Sequence, residues 1–142
     1  MLHNANKVLM GSTRSSYKEV SNHIGSIEAG KVVRLKSDDT LSLAKADGEL
    51  LGVSLGKDLS DIGRTAIVRK GLGVPMLLTA AFNPTVGAAV HISDTTGLAI
   101  AAGAGATQVN ATYVTGRLTV GGIGEDGTEG KGVAVIDFPG GL

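Results

Sequence analysis

The sequence predicts an all-β fold, and three observations predict it. Short apolar runs alternate with turn clusters at spacings of about eight to twelve residues, the rhythm of a sandwich or barrel. One hairpin-like phrase occurs twice, as "GKVVRLKSDDTLSLA" at 30–44 and "GAAVHISDTTGLAIA" at 87–101. No segment carries a sustained helical period, and glycine supplies 22 of 142 residues, about twice the usual share.

The elements follow in order. Residues 1–22 are polar and aperiodic and read as an extended arm, partly disordered alone. Tyr17 and Val20 are its sizeable apolar anchors after Met10. Residues 23–142 read as a single β domain. Val33 and Leu35 alternate with polar neighbours, and the cluster Ser37, Asp38, Asp39, Thr40 is a turn. "TLSLAKA" alternates again, Asp47 and Gly48 turn the chain, and "ELLGVSL" is the next strand. "SLGKDLSDIGR" admits one short helical turn before "RTAIVRKG". Gly71 and Gly73 precede "VPMLLTA", where Pro75 marks an edge strand or a strand start. Asn83 before Pro84 then breaks the chain. "AAVHI", the turn "SDTTG", "LAIAA", "ATYVTGRLTV" and the last strand "VAVIDF" follow, with a glycine-rich loop over 121–132.

Laid together, the two phrases match Gly30 with Gly87, Val33 with Val90, Leu35 with Ile92, Leu41 with Leu98 and Leu43 with Ile100. Further on, Gly52 falls opposite Gly116, and Ala66, Ile67 and Val68 fall opposite Ala134, Val135 and Ile136. The chain therefore reads as two pseudo-repeated β units, about 24–80 and 81–142. Two such units can pack face to face around one shared core. With two Tyr, two Phe and no Trp, that core is thin, which hints at assembly with neighbours.

The bulk numbers exclude several functions. Thirteen basic and thirteen acidic residues cancel, so nothing draws the chain to nucleic acid in general. There is no Cys, hence no disulfide and no thiolate metal site. No apolar run approaches the roughly 18 residues of a membrane helix. The N-terminal "MLHNANKVLMGSTRSS" has no apolar stretch of the kind a secretion signal carries.

No catalytic constellation emerges. His3 and His23 lie in the arm and its exit, and His91 sits mid-strand between Val90 and Ile92, where it reads as a surface or partner-facing residue. No His spacing suits a metal. Asp38 and Asp39 are adjacent, so their side chains diverge, and calcium loops need more oxygens at set spacing. "GGIGEDG" holds a G-x-G-x-x-G at Gly122, Gly124 and Gly127, but "TEGKG" cannot open the helix that a dinucleotide fold requires. Arg64, Arg69 and Lys70 make at most a small basic patch, diluted by Asp58 and Asp61. Four aromatics supply no stacking platform for single strands. We therefore expect no enzyme activity, cofactor, metal or small-molecule substrate.

One longer stretch is more specific. It has Ile27, Ala29 and Gly30 before Val32, Val33 and Leu35, then Gly52, Val53, Ser54 and Leu55, then Gly63, Ala66, Val68, Gly71 and Val74. With the upstream "Y..VSN.IGS" from Tyr17 to Ser26, this order resembles the small cement, or head decoration, proteins of tailed bacteriophages, of the lambda type. The resemblance covers roughly residues 12–78, and the second half matches only as the weaker repeat. It implies a compact β-barrel or sandwich of the β-tulip type with an extended N-terminal arm. It implies a virion structural protein, made in the host cytoplasm, on the outer surface of the expanded head. The expected partner is the major capsid protein, the expected assembly a homotrimer, and the expected role the bridging of neighbouring capsomers.

In that role the arm would carry the capsid contacts through Arg14, Tyr17, Val20 and Asn22, because strand addition supplies backbone hydrogen bonds and many copies supply avidity. A different reading is a carbohydrate-binding or adhesion module of a phage tail. Sugar sites stack rings on Trp or Tyr, and this chain has no Trp and only Tyr17 and Tyr113. A lipoyl-type carrier needs a lysine at a hairpin tip, where this chain has "SDDT" and "SDTTG".

Overall fold

A computed structural model describes residues 17–21, 27–57, 64–119 and 132–142. The fold is all-β, with two antiparallel sheets. The first sheet takes β1 (Tyr17–Ser21), β5 (Arg64–Val68), β4 (Glu49–Lys57), β2 (Val32–Leu35) and β3 (Leu41–Ser42), in that spatial order. The second takes β10 (Leu118–Thr119), β11 (Gly132–Phe138), β9 (Ala106–Tyr113), β7 (Ala89–Ser93) and β8 (Ala99–Ile100), and β6 (Gly71–Leu77) also pairs with β11. A single 3-10 turn spans Lys45–Asp47.

The two sheets share a strand order, in a register that differs from the one legible in sequence. Both sheets run terminal strand, last strand, third strand, then hairpin: β1-β5-β4-β2-β3 against β6-β11-β9-β7-β8. Strand β6 is thus the counterpart of β1, and the units divide at Arg69 and Lys70 rather than near residue 80. The fourth strands match one residue away from the expected alignment. Ser54 pairs with Ile67 in the first unit as Tyr113 pairs with Ile136 in the second. The third strands match without Gly116, which lies beyond β9. Each third strand bulges against its hairpin, between Val33 and Arg34 and between Ala89 and His91, and such irregularities hide a register from simple counting.

Local chemistry repeats in detail. Gly30 and Gly87 both have positive φ, at 91° and 86°. The Gly30 N–H donates to the Ser54 carbonyl and the Gly87 N–H to the Tyr113 carbonyl, each at 2.8 Å. Return bonds run from Ser54 N–H to Lys31 and from Tyr113 N–H to Ala88. Each hairpin turn has one left-handed residue, Asp39 in the first and Gly97 in the second. The second turn is one residue longer, since Leu35 pairs with Leu41 but Ile92 with Ala99. Pro75 sits in β6, exposed, opposite Val135 on the edge side of β11, where a missing N–H costs no ladder bond.

The main core joins Val32, Val53 and Val68 of the first sheet to Val90, Ile92, Ala111, Tyr113, Ile136 and Phe138 of the second. Each Val, Ile or Phe among them taken fully from water contributes about 1.5–3 kcal/mol. A second cluster, Val33, Leu41, Leu51 and Ile67, lies on the other face of the first sheet. The units share one core but do not present like faces to each other. The counterparts of Val32, Val53 and Val68 are Ala89, Thr112 and Asp137, none of which belongs to that buried core. The units therefore stack in the same sense, front to back.

The twin glycines give a direct test. A Cβ on Gly30 would lie 2.9 Å from Leu77 Cγ and 3.1 Å from its backbone nitrogen, whereas one on Gly87 would meet nothing within 4 Å. Alanine at either site pays about 1–2 kcal/mol for the left-handed backbone. Gly30→Ala is expected to lose roughly 1–3 kcal/mol more through overpacking. Urea unfolding midpoints at unchanged slope measure the difference.

Candidate functional site

Two surfaces carry the chemistry worth weighing, the β1 edge and a cavity on the second unit. Strand β1 lies at the end of the first sheet and pairs antiparallel with β5, Tyr17 opposite Val68 and Val20 opposite Thr65. Two of the four residues expected to contact the capsid, Tyr17 and Val20, are thus in a strand of the chain's own sheet rather than in a free arm. Arg14 and Asn22 lie outside the described residues, as do His3, His23 and residues 121–131 of the glycine-rich loop.

The acidic hairpin tip is turn chemistry. Asp38 Oδ1 accepts hydrogen bonds from the Thr40 N–H (3.1 Å) and the Thr40 hydroxyl (2.6 Å). The Thr40 hydroxyl holds the Asp38 carboxyl below its ordinary pKa. Arg69 and Lys70 are exposed in the turn between the units and border a cleft of about 670 Å³ with Asn110 and Leu142. Among the described residues, no group of three His, Asp or Glu side chains is placed to hold a metal.

The residue that sequence reasoning missed is Arg34. It is 2% exposed, and its Nη1 donates to the Leu43 carbonyl at 2.9 Å. Burial lowers its pKa from the usual guanidinium value, and the carboxylate of Asp94 opposes that shift. The signal was its parity: Arg34 lies two residues from Val32, which is fully buried. At the tip of the second hairpin, the Gly97 carbonyl accepts from the Val32 N–H (2.9 Å) and the Asp94 carbonyl from the Lys45 N–H (2.8 Å). A guanidinium, a valine and a leucine in the first unit thus seat the hairpin tip of the second.

His91, the counterpart of Arg34, is half-buried in β7 opposite Ile100 and Gln108. It lines a cavity of about 270 Å³ with Phe82, Asn83, Ala89, Ala101 and Tyr113 among others. Phe82 and Tyr113 meet edge to face, with ring centroids 6.2 Å apart. Tyr113 is 3% exposed, and its hydroxyl has no hydrogen-bond partner among the described residues. Its counterpart Ser54 is satisfied, donating to the Ile27 carbonyl at 3.1 Å and accepting from the Gly56 N–H at 2.9 Å.

No protein-family model and no curated protein sequence matches the chain.

Burial pushes the Tyr113 phenol up from 10.0 to about 12. A group whose pKa rises on folding stabilises the fold fully below its unfolded pKa. That contribution is lost as pH climbs from about 10 towards 12. Tyr113→Phe should abolish this part of the alkaline loss of stability. At neutral pH it should leave stability unchanged or raise it by about 1 kcal/mol, because it removes a buried hydroxyl that finds no partner among the described residues. Urea melts of both proteins across that pH range read both effects.

Proposed function

We propose that the protein is a virion structural protein that decorates the outer surface of an expanded phage head and cements neighbouring capsomers through the major capsid protein. The reading rests first on the ordered pattern from Tyr17 to Val74, which resembles head decoration proteins. The single structural observation that supports it is the position of β1. A terminal strand ends the sheet there, and an end strand offers backbone groups along its outer side for strand addition. On this reading the two stacked units form the tulip-type body. Residues ahead of β1 are the capsid-seeking arm, and Arg14, Tyr17, Val20 and Asn22 are its contacts. A homotrimer presenting three arms gains avidity over one. No catalytic role is proposed.

The sugar-binding reading is weaker. The Tyr113 ring is buried against Phe82, so it offers no open face for a sugar to stack on.

Because β1 starts at Tyr17, two truncations separate arm from strand. Removal of residues 1–16 should leave the far-ultraviolet spectrum and thermal melt close to those of the full chain while weakening attachment to heads. Removal of residues 1–22 also deletes β1 and should abolish attachment. Cosedimentation and imaging with expanded and unexpanded heads of tailed phages supply the readout. Full-strength binding by the shorter-armed proteins, or no binding of the full chain to any head, would overturn the reading.

A further inference from the structure

We draw no further inference here: the strongest candidate, the cleft at the turn between the two units, where Arg69 and Lys70 stand exposed beside Asn110 and Leu142, carries nothing because nothing in the structure shows what covers it.

Discussion

Within the shared core, one backbone contact fixes how the two units register, the Gly97 carbonyl against the Val32 N–H. Val32 opens β2, the strand that carries both faces of the first sheet: Val32 and Val33 are each fully buried, on opposite sides. Fixing its first residue fixes how the first sheet meets the second. The contact tolerates no side chain at position 97. The left-handed backbone there and the carbonyl 2.5 Å from a would-be Cβ require glycine. The Lys45 N–H on the Asp94 carbonyl and the buried Arg34 extend the same seam. A buried guanidinium without compensation would be costly, and the carboxylate of Asp94 with the Leu43 carbonyl offsets that cost.

From this seam the distribution of side chains follows. Because the units stack front to back, equivalent positions meet different solvents. Val32, Val53 and Val68 face the other sheet and are apolar, while their counterparts include an exposed Thr112 and a half-buried Asp137. Asp137 has a task there, its Oδ1 accepting from the Gly73 N–H at 2.7 Å and holding β6. Identity between the units is low for a physical reason. The conformations repeat, but the burial does not, so what is held in common is glycine, turn geometry and hydrogen bonding.

The same reason decides how much was legible in the sequence. The hairpins and the all-β class were legible, because Gly30 and Gly87 must adopt one unusual backbone and the strands alternate on either side. The third strands were mismatched because bulges and a longer second turn shift the count, and Gly116 offered a false anchor. Strand β6 was assigned to the first unit because the chain runs directly into it, whereas hydrogen bonding puts it on β11. The stretch at 17–21 read as an arm because "YKEVS" mixes polar and apolar residues, and an end strand has the composition of a surface. Arg34 offered only its parity with Val32 as a signal, and Tyr113 offered none. A charge and a phenol at strand positions look like solvated surface until the neighbouring unit is seen to cover them.

The two parts of the outward surface on the second unit have been treated differently. Its broad sheet face is made compatible with water by Thr112 and Asp137. The cavity beside His91 is not. Capping that cavity would take a bulky polar side chain at one of the positions equivalent to Val32, Arg34 and Leu43. The residues there are Ala89, His91 and Ala101, each smaller than its counterpart, so where no further unit stacks the position is left open rather than filled.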